Sequence, residues 1–533
     1  MSWVGEFRPA ATACEQLGLE LEMVVAGRDG ATHAVGPFFR SLARRKQARG
    51  LGPVLKTVNG RDFAVVSPLI NSSLDNAFNN LESAIGPVTG GPGGLAALNE
   101  LIAEELEDVV DALAEEDATI LNFSEHPDVA ISPDFYSGVR APKAIYDYWV
   151  GVRGWNHSVG VDAKAQNGPT IAVSADRAVA ALNVVLGLAP ALIALYANSP
   201  FEGGRLTGLK ENRLTIWPRM FAGAHYHGDE RLQRLPDAPF GELRDYMAWM
   251  FGPGTAIQML PVGGSGDYKN AGGMLRIIGD PSGLEFLGGG LWHGICQSSG
   301  RAIDVVPSVR HIEHLQFAQF LDARIRYALA TVPQVGDFFD AMSRSGGLED
   351  LFARHARYLY IEGRAPGSNF PDRELVGEAE PAVARSCVVS ASAIQAGLIR
   401  NLAASQALVY RWGWKRLRAL RERAVADGLA GEVDGLGVAD LCREVLAIAT
   451  EGLPPDERWM LAFPNHVLRT GRSGADRSIA FWEGSDRSPR SLRELIRRRR
   501  IVLPPRPRPA AAPATTSPRP VSAYARTLDL QRA

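Results

Sequence analysis

Cysteine is scarce in this chain. There are four in 533 residues, Cys14, Cys296, Cys387 and Cys442, and no two form a CxxC or CxxxC pair. That excludes a disulfide framework and a cysteine zinc site, and the thiols read as reduced. An excess of either charge is missing as well. With 57 basic and 59 acidic residues the formal net charge is −2, so nothing points to a nucleic-acid partner or to wholesale disorder. No GxGxxG follows a strand and no GxSxG elbow occurs, which removes the signatures of a dinucleotide-binding domain and of an α/β-hydrolase. The start, MSWVGEFRPAATACEQ, has no basic segment followed by an apolar core, so no secretory leader is expected. One uncharged apolar run, residues 178–197, is long enough to span a bilayer. Asn183, Gly187 and Pro190 interrupt it. The expectation is a helix buried in the core of a cytoplasmic protein with no membrane partner.

What is present begins with LGLELEMVV at residues 17–25, where Leu19, Leu21 and Met23 alternate with Glu20 and Glu22. A strand with this pattern has one apolar and one anionic face. Two readings follow: a half-exposed strand with acids toward water, or a pair of hard oxygen ligands for a divalent metal. Residues 63–66 read as a second strand and residues 75–85 as the start of a helix. After the glycine-rich residues 90–94, Leu95, Leu98, Ile102, Leu106, Val109 and Leu113 recur at helical spacing. The glycine-rich loop lacks the lysine and threonine of a Walker loop, so a plain linker is preferred to a phosphate cradle.

ATILNFSEHP and GPTIAVSAD read as further strands, and from Val309 onward the pattern is mainly helical. The end, RRRRIVLPPRPRPAAAPATTSPRP, reads as a disordered tail with solvated arginines. Strands first and helices later imply an α+β fold with a mostly antiparallel sheet and a helical C-terminal half. The expected division is a sheet region at 1–330, a helical region packed on it at 331–496, and a tail at 497–533.

Several segments then line up with one family. GLELE at 18–22 resembles the first strand of the glutamate–cysteine ligases, especially those of plants and proteobacteria. ALYANSPFEGGRLTG at 194–208 is similar to the family's helix end and loop, and Arg213, Ile216 and Trp217 in ENRLTIW fall where it has Arg followed by Ile-Trp. Pro307, Val309 and Arg310, then Leu321, Asp322 and Arg324, resemble its PxVR…YLExR segment, with Asp where Glu is usual. These matches are in order and spread over roughly the first 330 residues.

The resemblance implies a glutamine-synthetase-like curved antiparallel sheet whose concave face holds ATP and Mg2+. It implies an ATP-dependent acid–amino-acid ligase of glutathione biosynthesis, forming a γ-glutamyl amide from small-molecule amino acids through an acyl phosphate. Carried over residue by residue, it makes Glu20, Glu22 and Asp75 metal ligands, with Glu82 in reserve. Arg213, and next Arg324, become the contacts to nucleotide and transferred phosphoryl group.

Two departures stand beside it. Where the family has TxQxNxD, residues 170–176 put Ala172 and Ser174 at the polar positions, and His225 and His227 stand in a segment that is usually acid-rich. The HxH pair can ligate metal on a strand, but with no third ligand nearby an exposed loop is preferred. These changes keep two alternatives open: the same chemistry on another acid or amine, or a catalytically silent relative acting as a binding protein.

Overall fold

In the computed structural model, which describes residues 15–58, 60–264 and 272–505, nine strands build one open sheet. They are β1 (Gln16–Gly27), β2 (Val54–Val58), β3 (Arg61–Ser67), β4 (Ile70–Leu74), β5 (Asn80–Thr89), β6 (Ala118–Ile120), β7 (Asn167–Ala172), β8 (Ala323–Leu329) and β9 (Ala356–Gly363). The order is β8-β9-β7-β1-β5-β4-β3-β2, with β6 pairing the far end of β1, and every pairing is antiparallel. β1 is central because it is the longest strand and its apolar positions are covered. Leu17, Leu19, Leu21 and Met23 are buried, as the alternation in LGLELEMVV requires.

Helices cover that apolar face: α1 (Phe38–Ala48) against β3, α2 (Gly94–Ala114) against β5 and β6, α3 (Ala175–Gly187) against β8 and β9, and α5 (Ser390–Arg400) against β7. Between α3 and α5 in sequence lies α4 (Ala189–Tyr196). The layer under α1 and α2 contains a buried ion pair. Lys46 Nζ lies 2.5 Å from Glu105 Oε2, and Ser72 and Ser83 donate to Glu105 Oε1 at 2.6 and 2.7 Å. This is the α+β architecture with an antiparallel sheet that the sequence implied.

Three expectations need correction. Residues 75–85 do not start a helix: Asp75–Asn79 form the turn into β5, where the Asn76 and Asn80 side chains donate to Asp75 Oδ2. Local Asx chemistry and pairing of β5 with β1 prevail over the helical pattern. Residues after 309 are mainly helical, as expected, but β8 and β9 lie among those helices and complete one flank of the sheet. A boundary at 330 therefore cuts through the sheet, and the compact unit runs on to Leu503.

The basic run at the end is the third. Arg499 is buried and Ile501 pairs with Asp372, so the chain is built into the fold at positions read as tail. The rest of that reading, residues 506–533, lies outside the described residues. The apolar run at 178–197 becomes α3 and α4, bent by 47° at a break that Pro190 follows in the first turn of α4. Both are buried, and among the described residues no single helix is long and apolar enough to cross a membrane.

Candidate active site

The face of the sheet opposite α1 and α2 collects charge, and strand alternation puts it there. Glu20 and Glu22 leave β1 on that side, Glu82 of β5 lies directly across from Glu22, and Gly168 of β7 lies across from Glu20. Two residues along β7, Thr170 is opposite Glu362 of β9, which is opposite Arg324 of β8. Arg326 follows Arg324 on the same side. A Cβ at Gly168 would lie 3.2 Å from the Gly363 carbonyl and 3.5 Å from the Glu20 Cβ, so the missing side chain keeps space open beside Glu20.

The β1–β5 end is acidic. Burial, then Glu362 and Glu82, push the Glu20 carboxyl up to about 8, with Arg324 and Arg326 pulling the other way. Burial also pushes Glu22 up to about 7; Lys164 opposes the rise and Asp75 adds to it. Glu22 Oε2 accepts no hydrogen bond, and Lys164 Nζ stands 3.6 Å from it. The same Nζ is 3.0 Å from Asp75 Oδ2 and 5.3 Å from the ring centre of Trp217.

The β8–β9 end is basic. Glu362 Oε1 accepts from Arg324 Nη2 at 2.7 Å and Arg364 Nη1 at 3.0 Å, while Arg326 Nε is 3.8 Å from Oε2. Burial would raise the Glu362 carboxyl, but the three guanidiniums outweigh it and hold it at about 2. Arg324 is fixed further by the carbonyls of Phe317 and Gln319, each at 3.0 Å. Three arginines facing one carboxylate leave this end with surplus positive charge.

The structure thus gathers Glu20, Glu22 and Arg324 on one face, with Asp75 at its rim through Lys164. It does not bring Arg213 there. That side chain is 1% exposed, donates from Nε to Glu211 Oε1 at 2.8 Å and from Nη2 to the Ala365 carbonyl at 3.0 Å. Its main-chain N–H donates to Ser199 Oγ at 3.0 Å. In this arrangement Arg213 clasps the ANSPF loop to the segment after β9, because a buried guanidinium must be satisfied and these acceptors surround it.

Glu82 joins the face, and Trp217 packs against Phe320 with Lys164 above it. His225 and His227 are exposed, with His225 Nδ1 2.8 Å from the Val152 carbonyl. Among the described residues no three His, Cys, Asp or Glu side chains converge as a ready-made metal cluster. The helix start after the glycine-rich loop is closed by Glu457, whose Oε1 accepts from the Leu95 N–H at 3.0 Å.

Lys164, Arg326, Glu362 and Arg364 were missed, although ARIR at 323–326 and IEGR at 361–364 alternate charged and uncharged residues just as LELE does. At the far end of the face Ala172 lies opposite Tyr360, and with Tyr358 and Ala328 forms a small apolar cluster.

Residues 95–249, which include α2, β7, the ANSPF loop and ENRLTIW, match the family model of glutamate–cysteine ligase family 2 (GCS2). Comparison with curated proteins finds no match. Among solved structures, a glutamate–cysteine ligase from Francisella tularensis in complex with AMP aligns at 11% identity over 92% of this chain and 93% of that one, with a TM-score of 0.46. A bifunctional glutathione synthetase from Pasteurella multocida aligns at 13% identity over 91% of this chain and 52% of that one, with a TM-score of 0.43. The family-model match at 95–249 falls on the same family that ANSPF and ENRLTIW resemble, and it covers less than a third of the chain; GLELE at 18–22 lies outside it.

Proposed function

We propose that this protein is an ATP-dependent carboxylate–amine ligase acting on small amino acids in the cytoplasm, and that it joins them through an acyl phosphate. The observation that carries this reading is the division of one sheet face into an acidic end around Glu20, Glu22 and Glu82 and a basic end around Arg324, Arg326 and Arg364. A nucleotide polyphosphate with a hard cation has the complementary division of charge. The donor set also fits Mg2+, which takes carboxylate oxygens together with phosphate oxygens and water. Glu22 Oε2 is buried without a hydrogen bond, and burial pushes both the Glu20 and Glu22 carboxyls up, which a nearby cation would reverse. Glu20 and Glu22, with Glu82 across from Glu22, would supply carboxylate oxygens to an ion that takes its other ligands from nucleotide and water, and whose contribution is to screen the polyphosphate charge.

In the reaction proposed, a substrate carboxylate oxygen bonds to the γ-phosphorus as the bond to ADP breaks. The amine nitrogen then bonds to the acyl carbon, phosphate leaves, and the nitrogen loses a proton. Arg324 and Arg326 supply fixed positive charge where the phosphoryl oxygens accumulate negative charge. Arg364 and Glu362 hold that array in place, and Arg213 keeps the ANSPF loop in register.

A γ-glutamyl product is the first candidate. The apolar cluster of Ala172 with Tyr358 and Tyr360 favours the alternative that one substrate is less polar than glutamate or cysteine. The test is phosphate release by purified protein with ATP, Mg2+ and pairs of amino acids, with mass spectrometry of the amide. Release that depends on both amino acids and vanishes in Glu20→Gln supports the ligase. No release with any pair, from protein that still binds ATP, leaves the silent binding protein.

A further inference from the structure

We infer that Lys164 is a built-in cation filling the place between Glu22 and Asp75, so that this face binds one divalent ion fewer than its carboxylates suggest. The inference rests on the reading of the face as a metal–nucleotide site and concerns what one residue does to its capacity. Lys164 is 3% exposed and its ammonium group is held from several sides. Asp75 Oδ2 is 3.0 Å from Nζ, Glu22 Oε2 is 3.6 Å away, and the Trp217 ring lies at 5.3 Å. The Lys164 carbonyl accepts from Asn80 Nδ2 at 2.7 Å, which ties its main chain to the turn that carries Asp75.

Asp75 is already well supplied with donors and positive charge. Its Oδ2 also accepts from Asn76 at 2.6 Å and Asn80 at 3.4 Å. Its carbonyl accepts from the Tyr146 hydroxyl at 2.6 Å and Lys143 Nζ at 3.2 Å. A divalent ion on the same carboxylate would meet an ammonium group it cannot displace into solvent, and the two cations repel strongly at such range in a buried site. Glu20 and Glu82 stand on the strands proper, β1 and β5, and not on the turn that Lys164 holds. Asp75, expected from the resemblance to ligate metal, therefore serves Lys164.

The experiment counts Mn2+ bound per chain by electron paramagnetic resonance titration of the full-length protein, without nucleotide, alongside a thermal melt. Lys164→Met should bind one more ion than the wild type, and adding Asp75→Asn should return the number to the wild-type value. Asp75→Asn alone should keep the wild-type number. That arm decides the matter even if Lys164→Met does not fold, because it leaves the lysine in place. Loss of an ion in Asp75→Asn, or no gain in a folded Lys164→Met, overturns the inference. A wild type that binds no Mn2+ while Lys164→Met binds one would keep the inference and remove Glu20 and Glu82 as the metal site.

Discussion

The two faces of the sheet each bury a lysine against glutamate, and they do so differently. Behind the sheet, Lys46 contacts Glu105 at 2.5 Å and two serines complete the carboxylate. Burial would raise Glu105, yet Lys46, Ser72 and Ser83 together hold it below the ordinary range. In front, Lys164 stands off at 3.6 Å, Glu22 Oε2 lacks a hydrogen bond, and the carboxyl is pushed up to about 7. Depth is the same in both cases. What separates them is whether the hydrogen bonds are complete, and an incomplete set is what a site awaiting a ligand requires.

The largest expected effect is on the back face. Lys46→Met strands a buried carboxylate and should cost about 3–5 kcal/mol in denaturant unfolding. Lys164→Met at pH 6 should cost less, since Asp75 keeps the Asn76 and Asn80 donors and Glu22 can take up a proton in exchange. The reverse order would break the comparison.

Next comes turnover. Glu20→Gln and Glu22→Gln should abolish Mg2+-dependent ATP turnover in folded protein, and Arg324→Lys should slow it roughly a hundredfold, about 3 kcal/mol of barrier. Glu105→Gln should instead lower stability and keep turnover per folded molecule within about threefold. Equal losses on both faces would show that the front acids are structural too.

Arg213 sharpens the point. Arg213→Met should lose about 3 kcal/mol of stability, because buried Glu211 loses its guanidinium partner and keeps only the Asn198 N–H. If Arg213→Met melted like the wild type and lost turnover alone, Arg213 would belong to the chemistry after all.

The smallest effect is on pH. Glu20 and Glu22 have raised carboxyls, so the stability they give the cation-free fold is fully present below their ordinary value near 4.5 and is lost as pH rises through about 7 and 8. Added Mg2+ should then raise the melting temperature more at pH 9 than at pH 6, by about 2 °C. Glu20→Gln/Glu22→Gln should abolish that difference.

LGLELEMVV announced both the strand and its charged face, because alternation at period two survives any tertiary context. The same signal in ARIR and IEGR is masked, because helical segments flank both short strands and the helical period dominates the stretch. Lys164 could not be found that way. It lies just outside β7, and only the register of three strands and the turn at Asp75 brings it to Glu22. Arg213 illustrates the opposite error: a motif marks where a residue sits in a family's segment, but which way a guanidinium points depends on acceptors such as Glu211 and Ala365 that arrive from elsewhere in the chain.

The segment at Arg499 has a consequence for how this protein comes into being. Arg499 Nη2 donates to Asn198 Oδ1 at 2.6 Å, Nη1 to Asp372 Oδ2 at 2.6 Å, and Arg500 reaches the Gly27 carbonyl across 473 residues of sequence. During synthesis the ANSPF loop and β1 therefore wait for partners that are translated some hundreds of residues later. Until then Asp372 is a carboxylate in the interior lacking one of its guanidiniums. Folding on the ribosome cannot finish domain by domain, as it does for chains with local contacts. A chain that stops short of Arg499 should therefore melt lower than one that carries it, because Asp372 and Asn198 lose the guanidinium that joins them.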